Sequence, residues 1–175
     1  MTGVLGRMPE GPLTADLLGA PGVVPGPVTV TARLVFLLRS ALAGPVPAPA
    51  ALAAVAAVHG ALVLDTADGA AGPRVVLGPV GRPVREVDLV LEGCLLEVDG
   101  QVVDSAAAAA AEPGVALATA AEVAEGVIAG GLVVTGPLTE PVEVAAGSRV
   151  AAHFATVGPI ACQIVRPNGR SGGAS

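Results

Sequence analysis

The residues of this chain that could do chemistry are few and fall at a handful of places. Asp65 and Asp68 stand three apart in Asp65-Thr66-Ala67-Asp68-Gly69-Ala70-Ala71-Gly72. Two carboxyl groups near one cleft can be driven to different pKa values, so that one donates a proton while the other accepts it. The alternative for the same stretch is a solvated turn in which the carboxylates bond nearby backbone. Thr135 ends the apolar run Leu132-Val133-Val134 and is followed at once by Gly136-Pro137. A strand stopping there leaves the Thr135 hydroxyl at the mouth of a pocket, because Gly136 lets the backbone turn away and Pro137 blocks further ladder pairing. The hydroxyl could equally satisfy a turn. Arg33 could grip an anionic substrate group through two parallel hydrogen bonds, or face solvent. His59 closes an apolar run before Gly60, where an imidazole can cap helix carbonyls or meet a substrate.

Several chemistries are excluded. All nine basic residues are arginines, so no lysine can form a Schiff base or act as a lowered-pKa base. A net charge of -6 with no Trp and no Tyr removes both the phosphate attraction and the stacking platforms that a nucleic-acid surface needs. Cys94 and Cys162 each lie in an apolar run without Cys-x-x-Cys spacing, as small hydrophobes do, and give neither a zinc site nor a disulfide framework. No Ser-His-Asp ordering, phosphate loop or nucleotide fingerprint occurs. Pro45 to Leu64 is apolar, but Pro45, Pro47, Pro49, His59 and Gly60 interrupt it, so no membrane span is expected. The N-terminus lacks the charged start and apolar run of a signal peptide, and the expected location is the cytoplasm.

The elements that must position these residues follow from turn chemistry. At 175 residues the chain is long enough for one domain with a real core. Its 53% apolar content is mostly Ala and Val, and 24 Gly and 16 Pro supply breakpoints that favour short strands over a helical bundle. Val23-Val24-Pro25 and Val28 to Phe36 are expected as strands, as are Gly60 to Leu64, Arg74 to Gly78 and Asp88 to Glu92, with 78–83 as a turn. Gly93 to Glu97 and Gln101 to Asp104 form a hairpin through Val98-Asp99-Gly100, since Asp-Gly favours a primed turn. Short helices are expected near 13–18, 49–58 and 115–126. Leu132 to Thr135, Pro141 to Val144 and Arg149 to Phe154 form a β-meander. Residues 1–166 make one mostly β (α+β) domain and 167–175 a flexible polar tail.

Thr135-Gly136, Pro141-Val142-Glu143-Val144, Gly147-Ser148, Ala152-His153-Phe154 and Val157-Gly158-Pro159-Ile160 together resemble the end of the fumarylacetoacetate hydrolase superfamily, most closely its 2-keto-4-pentenoate hydratase and 4-oxalocrotonate decarboxylase branch. Val4-Leu5-Gly6-Arg7, Gly11-Pro12-Leu13-Thr14, Val23-Val24-Pro25 and Arg33 match the same pattern nearer the start, and 65–72 matches a loop that carries more polar residues in the family. The resemblance implies a rolled, mixed or antiparallel sheet with two or three short helices, and a substrate contact at Thr135-Gly136. The family holds a divalent ion on a Glu-x-Glu pair and a third glutamate. Here the pair would fall before Met1 and the third position is Val28; the family's N-terminal domain with its catalytic lysine has no counterpart.

The expectation is therefore a degenerate, metal-independent hydratase-like enzyme with no cofactor, acting on an enol, dienol or polyene carbonyl substrate. Its catalytic residues would be Thr135, Asp65 and Asp68, and its substrate-binding residues Arg33, His59 and Gly136. His153, where the family has Asp, is expected to be structural. The alternative is a non-catalytic paralogue that binds a small ligand or partners a full-length hydratase. A homo-oligomer or a pairing with a hydratase-like subunit is expected, with no nucleic-acid or membrane partner.

Overall fold

The computed structural model describes residues 11–13, 23–66, 73–123 and 126–166, and these form eleven strands and two α-helices. The strands are β1 (Gly11–Leu13), β2 (Val23–Pro25), β3 (Val28–Leu38), β4 (Val55–Thr66), β5 (Arg74–Arg82), β6 (Gly93–Val98), β7 (Gln101–Ala107), β8 (Leu132–Val134), β9 (Val142–Val144), β10 (Arg149–Phe154) and β11 (Gly158–Val165). The helices are α1 (Ala48–Ala53) and α2 (Pro113–Val123).

Two sheets share one core. The first runs β1-β8-β3-β4-β5, with β9 also on β3, and the second runs β2-β11-β10-β6-β7. Pairing is antiparallel except for β2 on β11, which is parallel. Period-2 alternation along β3 sends Val28, Val30, Ala32, Leu34 and Phe36 inward against Leu96, Val150, Ala152 and Ile164 of the second sheet. The opposite face of β3 carries Thr29, Thr31, Arg33 and Val35. No helix among the described residues is long and apolar enough to cross a membrane.

The expected mostly β architecture with few helices is what the chain adopts, but several local expectations are corrected. The helix over 49–58 is cut to Ala48–Ala53, and Val55 to Val58 belong to β4. Val55, Ala57 and Val58 pair with β3, and that cross-strand pairing overrides the helical propensity of the alanines. Residues 78–82 continue β5 rather than turning, and the strand ends before Pro83. Pro79, which has no N–H to give, is tolerated because β5 is an edge strand. Residues 88–92 turn instead of extending, since Asp88 Oδ1 accepts the backbone N–H groups of Val90 (3.0 Å) and Leu91 (3.2 Å). The Asp99-Gly100 hairpin is as expected, with positive φ of 51° and 83° at its two central residues. The C-terminal meander is not: β8 and β9 pair with β3, whereas β10 and β11 lie in the other sheet. The helix near 115–126 spans 113–123. The expected helix at 13–18, apart from Leu13, which ends β1, and the tail at 167–175 lie outside the described residues.

The two sheets meet closely where Phe154 lies on Gly60. A Cβ at Gly60 would come within 2.5 Å of the Phe154 ring, and that ring is packed in the core. Gly60→Ala should therefore destabilise the fold by roughly 1–3 kcal/mol through overpacking. Gly93→Ala, whose Cβ would meet nothing nearer than 4.0 Å, should change stability by less than about 0.5 kcal/mol. Urea unfolding of both variants checks the contrast.

Candidate functional site

The edge of β3 is left open in its middle. β8 pairs with residues 35–37 and β9 with residues 28–30, so the backbone groups of Ala32 and Leu34, which face this edge, need other partners. Thr135 N donates to Leu34 O at 3.0 Å and Leu138 N to Ala32 O at 2.9 Å. Two hydroxyls complete the ladder: Thr135 Oγ1 accepts from Leu34 N at 3.2 Å, and Thr139 Oγ1 from Ala32 N at 2.9 Å. The Thr135 proton in turn goes to Leu34 O (3.2 Å) or Gly136 O (3.0 Å). Thr135 is 1% exposed. Its hydroxyl thus sits within the sheet edge rather than at a mouth, because an interrupted ladder needs the acceptor more than a pocket does. Gly136 is buried beside it.

The polar groups gather on the outward face of β3. Arg33 is 4% exposed; its Nη1 donates to Thr135 O at 3.0 Å and its Nε to Thr31 Oγ1 at 3.3 Å. Cross-strand register sets Asp65 opposite Thr29 on one side and Glu143 opposite Thr29 on the other, and residues opposite each other share a face. The row Asp65, Thr29, Glu143 therefore spans three strands. Burial pushes the Asp65 carboxyl above its ordinary 3.8, and the Arg33 charge pulls it partly back. An open depression of about 360 Å³ lies at this end, lined by Pro27, Val28, Thr29, Glu143, Val144 and Ala145. In the sequence Glu143 stands out only as part of the Pro-Val-x-Val match. Its signal was the alternation of Val142-Glu143-Val144, which turns Glu143 away from the core once Val144 is placed inside.

The other expected site residues are dispersed. His59 is not at a helix end: it sits within β4, half-buried, with Nδ1 3.1 Å from Gly78 O and its ring over Gly81. Six residues of strand, about 20 Å, separate it from Asp65, and Val35, Ala61, Val63, Val75 and Val134 fill the face between. Asp68 lies outside the described residues. His153 is on the exposed face of β10, its Nε2 3.3 Å from Glu97 Oε2. Burial pushes the Cys94 thiol up to about 12 and Cys162 up to about 11, so neither is a ready nucleophile.

Two tests follow from this geometry. Thr135→Val leaves Leu34 N–H without its acceptor and should cost about 1–3 kcal/mol of stability, while Thr135→Ser should restore most of it; thermal unfolding of both variants decides. The Asp65 shift favours the protonated acid in the folded state, so its stabilising contribution is present below about pH 3.8 and is lost as pH rises through the raised folded value. Asp65→Asn should therefore gain in melting temperature relative to the parent between about pH 4 and about pH 7.

No family profile and no curated protein matches this sequence. Solved structures do. The chain is similar to 4-oxalocrotonate decarboxylase from Pseudomonas putida G7, at 25% identity and a TM-score of 0.75, covering 85% of this chain and 66% of that one. It is similar in fold to 5-carboxymethyl-2-hydroxymuconate delta-isomerase from Mycobacterium smegmatis (18%, TM-score 0.74, covering 87% and 66%). Maleylpyruvate hydrolase from Sphingobium sp. SYK-6 shares it too (19%, TM-score 0.71, covering 87% and 63%). The chain thus spans about two thirds of the length of these neighbours. The decarboxylase has been solved with calcium and with magnesium, and the hydrolase with manganese. Such hard cations need several carboxylate or water oxygens. Val28 is a buried core residue that offers none, Arg33 places a positive charge on the polar face, and no group of three or more His, Cys, Asp or Glu among the described residues could hold an ion. The described residues do not fit a divalent metal. The chain's structural neighbours are members of the fumarylacetoacetate hydrolase superfamily, and it shares their fold over about 85% of its length.

Proposed function

We propose that the protein is a metal-independent, hydratase-like enzyme acting on an enol, dienol or polyene carbonyl substrate by isomerisation, hydration or cyclisation. The observation that carries this reading is the Asp65 carboxyl, its pKa raised by burial, directly opposite Thr29, which lines the depression. A neutral carboxyl can protonate a carbonyl oxygen or a dienol carbon. The carboxylate left behind takes a proton back from another carbon or from water, so the cycle closes without a redox partner. Arg33 acts as a positioning residue: it ties Thr135 O to Thr31 and fixes the polar face against which Asp65 titrates. Bound geometry supplies the rest of the rate, since orientation alone can lower a barrier by several kcal/mol.

A second reading has its own support. The apolar filling between His59 and Asp65 and the commitment of the Thr135 hydroxyl to backbone suit a paralogue that partners a longer hydratase-like subunit. A panel of dienols and polyene ketones, followed by loss of ultraviolet absorbance in the presence of EDTA, separates the two. Turnover should survive EDTA and fall by about 100-fold or more in Asp65→Asn, with the variant still folded. Undiminished turnover in Asp65→Asn, or none with any substrate, would leave the partner-subunit reading ahead.

A further inference from the structure

Asp99 and Gly100 form the exposed tip of the β6–β7 hairpin, both at positive φ, 51° and 83°. An aspartate followed by glycine is little hindered towards ring closure, because no side chain shields the Gly100 N–H, and a Cβ placed at Gly100 would meet nothing within 4 Å. In that closure Gly100 N attacks Asp99 Cγ, a carboxyl oxygen leaves as water, and a cyclic succinimide remains. Water then opens the ring at either carbonyl. Opening at the Asp99 backbone carbonyl leaves the chain running through Cγ as an isoaspartate, with Cβ now part of the backbone. The water released is the water returned, and nothing is oxidised or reduced. Against this reaction stands a clamp. Arg149 N donates to Asp99 Oδ1 at 2.8 Å, Asp99 N donates to Arg149 O at 2.9 Å, and the Ser148 side chain bonds the Asp99 carboxylate as well. The corner that supplies these groups is itself fixed: Gln163 Nε2 donates to Gly147 O (2.8 Å) and Ser148 O (3.0 Å), and Ile164 N to Ser148 O (2.8 Å). A carboxyl held on Arg149 N is not free to turn onto Gly100 N. The bonds from Arg149 and then Ser148 also hold it below its ordinary 3.8, in the ionised form whose oxygen is a poor leaving group.

We propose that Asp99-Gly100 is a site of spontaneous isoaspartate formation and that the Ser148-Arg149 corner is the clamp that restrains it, so that the modification proceeds through a locally opened hairpin. The product does not keep the turn: an added backbone atom breaks the two-residue geometry and moves the carboxylate off Arg149 N. The β6–β7 pairing set by this turn runs on to Gly93 and Ala107, so the change loosens the outer edge of the second sheet. This site is independent of the polar face on β3 and of any turnover there.

Prolonged incubation of the full chain at neutral pH, folded and in denaturing urea, followed by proteolytic digestion and chromatographic separation of the aspartyl and isoaspartyl peptides, tests it. Isoaspartate at Asp99 should accumulate in the unfolded chain, and at least about tenfold more slowly in the folded one, since reaction there is confined to the opened fraction. Ser148→Ala, a change at a half-buried surface position checked for fold by circular dichroism, should speed the reaction of the folded chain by about fivefold or more, as the loss of one hydrogen bond to a carboxylate allows. The same substitution should leave the rate in urea unchanged. No isoaspartate at Asp99 in the unfolded chain, equal rates in the folded and unfolded chains, or an unchanged rate in folded Ser148→Ala would each overturn the proposal. Should Ser148→Ala fail to fold, the comparison of folded with unfolded parent still decides whether the native corner restrains the site.

Discussion

The incomplete ladder along β3 is the constraint on which the first sheet depends. A central strand of eleven residues must satisfy both of its edges, and β4 covers one of them throughout. The other is shared by two three-residue strands that leave a gap between them. Backbone alone does not close that gap; the hydroxyls of Thr135 and Thr139 do. Each stands in for a missing carbonyl acceptor, and a buried N–H without one would cost about as much as a sizeable fraction of a small domain's stability. The stretch Thr135-Gly136-Pro137-Leu138-Thr139 is thus a patch in the sheet as much as a loop. Arg33 reaches the same patch through Thr135 O, which links the arrangement of the polar face to the integrity of the ladder.

That linkage changes how the polar face can work. Groups committed to backbone hold position, and groups with spare valence meet ligands. Thr135 and Thr139 belong to the first kind; the function proposed above draws on Asp65 as one of the second. The two sets lie on one strand and its neighbours, so the chemistry-bearing end is held by regular pairing rather than by a flexible loop, and its side chains inherit the precision of the register.

Local signals carried the fold a long way. Asp99-Gly100 specified its hairpin through backbone conformation alone, and the Val-Thr-Arg alternation from Val28 specified β3 and the face of each residue. What was hidden was non-local. Nothing near Val55 says that its partner is Leu38, so the alanines around it read as helix. Nothing in 132–154 says that two of its strands join β3 while the third lies across the core. The site was legible to the same extent: Asp65 and Arg33 fall on the polar face, but Thr135 was assigned a mouth because its true partner, Leu34 N, is 101 residues away. Glu143 gained meaning only when β9 was set beside Thr29.

The division of the C-terminal third between the two sheets also governs when the protein can fold. β8 and β9 complete the first sheet, β10 and β11 form the middle of the second, and β11 receives β2 from near the other end of the described chain. The first sheet cannot close until β9 has been made, and the second not until β11. During synthesis the apolar face of β3 therefore stays uncovered while more than a hundred further residues emerge. Contacts this distant in sequence make folding slow.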